Sequence, residues 1–371
     1  MTEFLYRLLA IITSAVVFCT NLSPFAEKAN KRTNYGECKN VILMIGDGMG
    51  FNSIKLAEQE LSEKMTAFKR FTRYGQSKTS AATPILTTDS AAGGTALATG
   101  VRISLKTVGV YPSDIEAQRS YPMNLCELAV HQGKAAGIVT TAKTWDATPA
   151  AFSAHVAYRD YYEEIHRQQS ESGLTLLWGE RDSDLDLDLT RANGFKVLWN
   201  KEDLDNLDAS QRSFGQFGYS FWKDGADKAQ PTLAELTTRA VDILDNDDDG
   251  FFLMVEGAHI DKRSDKKDAE GMALALSSFN KAVNAALDYA EEHGDTMVVV
   301  TADHETGGII KLGGEYVYTT TLHTQINVPL FVYGCNKFMW WGEIMENREV
   351  ARRIACVMGD KNFPLEVTVK K

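Results

Sequence analysis

Three apolar runs in this chain each break off at an acid. VILMI (41–45) leads into Gly-Asp47-Gly, FFLMV (251–255) into Glu256, and TMVVVT (296–301) into Ala-Asp303-His304. Runs of that kind are strands buried on both faces, so the carboxylates project from the strand ends. In open α/β sheets, that edge is where ligands bind. Several carboxylates gathered there are costly unless cations neutralise them. Oxygen donors joined by imidazoles, here His304 and His323, suit divalent metals. Each residue alone has a plainer reading. An Asp among glycines is ordinary turn chemistry, and a lone histidine is more often structural than a ligand. Their convergence makes a multi-metal site the simplest account.

Further residues point to what such a site would handle. TWDATPA carries Asp146 and Thr148 on a loop stiffened by Pro149, and Arg159 follows thirteen residues after Asp146. An isolated arginine usually makes a surface ion pair. Beside a phosphate it is a bidentate clamp. VEGAHIDKRSD sets Asp261 and Asp265 four apart, on one face of a helix that begins near Asp261. As plain first-turn acids they would only answer the helix dipole. In the stretch 84–100, PILTTDSAAGGTALATG, Ser90 opens a run of small residues able to start a helix at once and pack closely. A helix N-terminus favours an anion, and Asp89 offers a hard oxygen ligand. The alternative is that Asp89 or Ser90 caps a core helix. Acids, histidines, an arginine and a serine at a helix start together suit a phosphate ester.

A scaffold must bring these residues together. With 371 residues, 44% of them hydrophobic, the chain can bury one large domain or two ordinary ones. A net charge of −11 without a Lys/Arg-rich run excludes nucleic acid as a specific partner. Helical patterns at 53–68, 123–132, 233–244 and 268–293 interleave with strands at 136–141, 175–178 and 328–333. The irregular segment 181–230, with its DSDLDLDL alternation, reads as a surface excursion. DNDDDGFFLMVE (245–256) fits the EF-hand pattern at every specified position. Its unbroken FFLMV run instead predicts a turn feeding a central strand. At the N-terminus, one Arg precedes an apolar run at 8–18, short for a membrane span and suited to a signal core. Residues 1–39 therefore read as an export signal or anchor plus a polar linker. Cys38, Cys126, Cys335 and Cys356 could pair in an exported chain, or all be buried thiols, and their spacing does not say which.

GDGMG, TTDSAAGGTALATG, DATPAAFSAHVAYR, VEGAHIDK, TADHETGG and the later His-Thr pair occur in the order and spacing of the alkaline phosphatase family, which the chain resembles over 40–334. The resemblance implies an α/β fold of three layers, α/β/α, with a mixed, mostly parallel central sheet in a single domain over 40–371. It implies hydrolysis of small phosphate monoesters through a phosphoserine. Ser90 matches the nucleophile and Arg159 the phosphate clamp. Asp47, Asp303 and His304 match the ligands of the zinc that activates the serine. Asp47, Thr148 and Glu256 match the magnesium site. Asp261 and His323 match two ligands of a second zinc. Asp146 and Lys262 match a pair that tunes magnesium and contacts phosphate through water.

Two features depart from the family pattern. Asp265 stands where the family has His. A site of Asp261, Asp265 and His323 is harder and more anionic, and should shift preference from zinc toward manganese, magnesium or cobalt. His259 is the substitute ligand to consider. The segment between His304 and His323 is also short, which implies a more open site. The expected homodimer, an exported periplasmic or extracellular location and possible membrane attachment through the N-terminus complete this reading. A phosphodiesterase of the same superfamily and a non-catalytic phosphate- or metal-binding relative are its rivals.

Overall fold

The computed structural model describes residues 38–71, 73–83, 86–113, 120–218, 222–335 and 344–368. The expected export segment lies outside the described residues. Ten strands build the central sheet: β1 (Asn40–Gly46), β2 (Arg73–Lys78), β3 (Ala135–Lys143), β4 (Leu176–Glu180), β5 (Lys196–Leu198), β6 (Ser213–Phe217), β7 (Phe251–Gly257), β8 (Thr296–Thr301), β9 (Val328–Gly334) and β10 (Ile344–Glu346). Their spatial order is β10-β2-β9-β8-β1-β7-β3-β4-β6-β5. All neighbours run parallel except β9, which is antiparallel to both β8 and β2. The mixed, mostly parallel sheet implied by the sequence is present.

The apolar runs are central strands because both faces are covered. Alternate residues of β1 point to opposite layers. Ile42 and Met44 join one core with α1 (Phe51–Glu60), Val298 and Val300. Val41, Leu43 and Ile45 join the other with α2 (Ser90–Thr99), α3 (Leu125–His131) and Met254. The first layer also holds α4 (Leu233–Leu244), part of α5 (His259–Ser264) and the long α6 (Ala269–His293). The second also holds α7 (Asn347–Val357). Asp268 caps α6 by accepting from Gly271 N at 2.9 Å. Among the described residues, no helix is long and apolar enough to cross a membrane.

FFLMV lies inside β7, every residue of which is buried, so the strand reading holds over the calcium loop. Gly250 makes the preceding turn at φ +89, and a Cβ there would sit 2.4 Å from the Lys39 carbonyl. The segment 181–230 departs from its reading as a surface excursion. It supplies β5 and β6, and Phe214 and Phe217 are fully buried in the two cores. Its DSDLDLDL stretch feeds a short helix, Leu187–Ala192, because the Asp186 carboxylate accepts from the N–H groups of Asp188 and Leu189. The open cysteine question resolves into a Cys38–Cys335 disulfide, with Cα atoms 5.7 Å apart, and free thiols at Cys126 and Cys356.

Candidate metal centre

Strands β1, β7 and β8 lie side by side, so the acids that end them meet at one edge. Asp47 follows β1 in a glycine turn. Gly48 adopts φ +72, and a Cβ there would meet the Thr306 hydroxyl at 2.8 Å. Glycine therefore lets this turn close over the end of β8. Asp303 follows β8 and is fully buried. Its Oδ1 accepts from the backbone N–H of Gly48 at 3.3 Å and of His304 at 3.0 Å. Those bonds fix the carboxylate and leave Oδ2 with no hydrogen-bond partner.

Helix α2 brings Ser90 to the same edge. Asp89 is its N-cap, accepting from Ala92 N at 3.1 Å, and its other oxygen accepts from Lys106 N at 3.0 Å. The cap alternative is thus correct for Asp89 and leaves Ser90 as the first helical residue. Small residues allow the close approach. A Cβ on Gly93 would lie 2.7 Å from the Asp303 carbonyl, and one on Gly94 3.3 Å from Thr148 Cα. The Ser90 hydroxyl consequently lies 3.2 Å from His304 Nε2.

His304 Nε2 also lies 3.5 Å from Asp47 Oδ1 and 3.3 Å from Asp303 Oδ2. Its Nδ1 is 3.2 Å from the hydroxyl of Thr306, which itself donates to Asp261. That hydroxyl accepts the Nδ1 proton, so the Nε2 lone pair faces Ser90 and the carboxylates. Burial lowers the His304 pKa, in keeping with a neutral ring. The His323 ring stacks on it, centroids 3.6 Å apart. His323 Nδ1 donates to the Thr88 carbonyl at 3.0 Å, leaving Nε2 3.5 Å from Asp261 Oδ1. Burial opposes charge on His323, but Asp261 outweighs it and raises the pKa to about 9. Two ligand sets result, Asp47–Asp303–His304 and Asp261–His304–His323, each with donor atoms within 4.8 Å of one another.

The donors fit divalent cations. Asp47 Oδ1, Asp303 Oδ2 and Thr148 Oγ1 are buried without hydrogen-bond partners, which is costly for a finished polar network. Burial, then Asp303, Asp261 and Glu256, push the Asp47 carboxyl well above its ordinary range. Burial first and then Asp146 push Glu256 to about 8, although the Thr140 hydroxyl donates to it. Such carboxyls are held for want of positive charge, which a cation would supply.

A chain of charges closes the opposite side. Arg159 Nη2 donates to Asp146 Oδ1 at 3.1 Å, and Lys262 Nζ donates to Asp146 Oδ2. Burial alone would raise the Asp146 pKa, but Lys262 and Arg159 hold it far below the usual carboxylate range. Arg159 Nη1 reaches Asp89 Oδ2 at 3.5 Å, joining this chain to the cap of α2. The sequence candidates Asp47, Ser90, Asp146, Thr148, Arg159, Glu256, Asp261, Lys262, Asp303, His304 and His323 therefore collect at the carboxyl edge of the sheet and the helix starts facing it.

Asp265 stands apart. It is exposed just past the end of α5, its N–H bonded to the Asp261 carbonyl at 2.9 Å, and it belongs to neither ligand set. Partial desolvation of its carboxyl and then the Asp261 charge raise its pKa, while His323 lowers it, so it shares their field. His259 is committed elsewhere, stacked on Trp222 at 4.7 Å and buried, with its pKa pushed down to about 3. Sequence reasoning missed Thr88, Thr140 and Thr306. Thr88 and Thr306 are signalled only by lying two residues from Ser90 and His304, and Thr140 by nothing, although histidine and carboxylate ligands need partners that orient them.

A mostly parallel α/β sheet with a buried carboxylate–histidine centre at its carboxyl edge defines a metal-binding hydrolase. The sequence model described as alkaline phosphatase matches residues 38–175 and 168–353, and the chain belongs to the alkaline phosphatase family. Alkaline phosphatase 3 of Bacillus subtilis is 32% identical over 342 residues, covering 86% of this chain and 73% of that one. The solved alkaline phosphatase of the Antarctic bacterium TAB5 is 29% identical with TM-score 0.74, covering 87% of this chain and 98% of that one. A histidine-to-aspartate variant of that enzyme, also 29% identical with TM-score 0.73 and the same coverage, has magnesium bound in its M3 site. The protein is a phosphatase that hydrolyses phosphate monoesters.

Proposed function

We propose that hydrolysis proceeds through a covalent phosphoserine on Ser90. The observation that carries this reading is the Ser90 hydroxyl at the start of α2, 3.2 Å from His304 Nε2 and facing unpartnered carboxylate oxygens. Asp47, Asp303 and His304 would hold one zinc, Asp261 and His323 a second divalent cation, which the exposed Asp265 side chain would have to turn in to join, and Asp47, Thr148 and Glu256 magnesium. Bound there, such cations would neutralise the carboxylates and lower the pKa of the serine hydroxyl and of water.

The chain's own groups do the rest. Ser90 Oγ bonds to phosphorus as the ester oxygen leaves, and water then displaces Ser90 to release phosphate. At the start of α2, the N–H groups of Ser90 and Ala91, ahead of the Ala92 N–H that Asp89 caps, would be turned to the substrate anion. Arg159, held by Asp146 and Asp89, spans two phosphate oxygens with its fork and carries the charge that builds on them. Lys262, held by the other Asp146 oxygen, contributes a further positive charge. We place this chemistry in a single catalytic domain over 40–371, acting as an exported homodimer. A disulfide fits an oxidising compartment.

Acid quench during turnover of radiolabelled substrate tests the reading. Wild-type protein should trap label on the Ser90 peptide, and Ser90→Ala should trap none and lose turnover. Label on another residue, or persistent label in Ser90→Ala, would refute the assignment.

A further inference from the structure

A cavity of about 260 Å³ adjoins the phosphate-facing charges. It lies where β3 and β4 end, at Lys143 and Glu180, and is closed on one side by α5. Asp146 and Lys262 line it, so it shares a wall with the groups that hold Arg159. Its size is below the roughly 300–1,000 Å³ of pockets for whole drug-sized ligands, and suits one small group.

The lining is biased toward positive charge. Asp146 is already neutralised by Arg159 and Lys262. Lys143 is steadied by Asp182 at 3.1 Å and by the Trp145 ring at 5.2 Å. Arg263 lies 4.4 Å over the Trp222 ring and 3.5 Å from Asp268. Lys266 is exposed and forms no ion pair among the described residues. Glu180 is the one acid of the lining besides Asp146. It is buried and has no ion-pair partner among the described residues. Burial raises its pKa to about 7, so near neutral pH much of it is a hydrogen-bond donor rather than a repelling charge.

We infer that this cavity is a subsite for a second anionic group, a carboxylate or phosphate carried on the leaving part of the ester. The inference rests on the phosphatase reading of the neighbouring site and adds a substrate class to it. Lys266 and Lys143 supply charge-assisted hydrogen bonds to the second anion while the scissile phosphate occupies the Ser90–Arg159 side. Neither lysine belongs to the catalytic machinery, so an ester with a neutral leaving group does not use them.

A matched pair of substrates tests this on the full chain: butyl phosphate and 1,4-butanediol bisphosphate, the same alkyl chain without and with a second phosphate. Wild type should favour the bisphosphate in kcat/KM, through KM, beyond the statistical advantage of offering either end. Lys266→Ala and Lys143→Ala should each raise KM for the bisphosphate about tenfold, the worth of one charge-assisted hydrogen bond, and leave butyl phosphate unchanged. Glu180→Gln should lower KM for the bisphosphate at pH 8.5, where wild-type Glu180 is charged. Inhibition by inorganic phosphate should be the same in wild type and Lys266→Ala; a weakened inhibition would make the cavity a free-phosphate site and overturn the subsite. Equal losses on both substrates would reduce the lysines to a general field and also overturn it. No bisphosphate preference in an active wild type would refute the subsite alone. An inactive wild type with butyl phosphate would refute the phosphatase reading and the subsite with it.

Discussion

At the residue scale, Asp146 and Glu180 show how an ion-pair partner decides whether a desolvated carboxylate keeps its charge. Asp146, between Arg159 and Lys262, is held ionised. Glu180, at the end of the next strand, is desolvated and reaches about 7 against an ordinary 4.5. A raised carboxyl contributes its stability below the ordinary range and loses it as pH climbs through about 7. Ionised Glu180 therefore costs roughly 3 kcal/mol at pH 8 as an upper figure. Glu180→Gln should raise Tm at pH 8 and leave it unchanged at pH 4.5, as calorimetry would reveal; an equal shift at both values would contradict the burial cause. Asp265 gives a second expectation. With histidine there, the Asp261–His323 corner gains a softer donor, so Asp265→His should tighten zinc about tenfold relative to manganese in competition titrations. Unaltered relative affinity would remove Asp265 from the ligands. Asp47, Glu256, Asp303 and His304 were legible because each ends an apolar run. Thr88, Thr140 and Thr306 were not, because a hydroxyl or carbonyl partner is decided by tertiary approach and leaves no periodic trace.

At the element scale, the site depends on how near α2 can come to the end of β8. Gly93, the fourth residue of the helix, sets that distance, with a Cβ 2.7 Å from the Asp303 backbone carbonyl, which cannot swing aside. Gly93→Ala should cost about 1–3 kcal/mol by denaturant unfolding and lower kcat through displaced Ser90. Full activity and stability would mean the helix start has slack. Glycine runs were readable as close packing, but not which neighbour they packed against. Strand β7 was legible inside an EF-hand pattern because five consecutive apolar residues cannot line a calcium loop. Strands β5 and β6 were not, since three and five residues at a sheet edge are too short to show a period within an acidic, glycine-punctuated segment.

At the scale of the whole molecule, the three layers and the mostly parallel sheet followed from strand and helix alternation together with family resemblance. The Cys38–Cys335 pairing did not, because it depends on β1 and β9 being separated only by β8, a property of topology rather than spacing. The bridge joins residues 297 apart in sequence, so its loss frees a long loop in the unfolded chain. Cys38→Ala should lower stability by about 2–4 kcal/mol more under oxidising conditions than under reduction, where only the loss of its buried sulfur remains. The same loss under both conditions would mean the bridge is not formed in solution.

That bridge also makes a covalent ring of the chain from Cys38 to Cys335, and the ring encloses every candidate residue from Asp47 to His323. A protease that cuts one peptide bond in any loop between the two cysteines opens the ring without dividing the molecule. The nicked protein would run at full mass on a gel until a reductant is added, and its catalytic groups would stay on one covalent body.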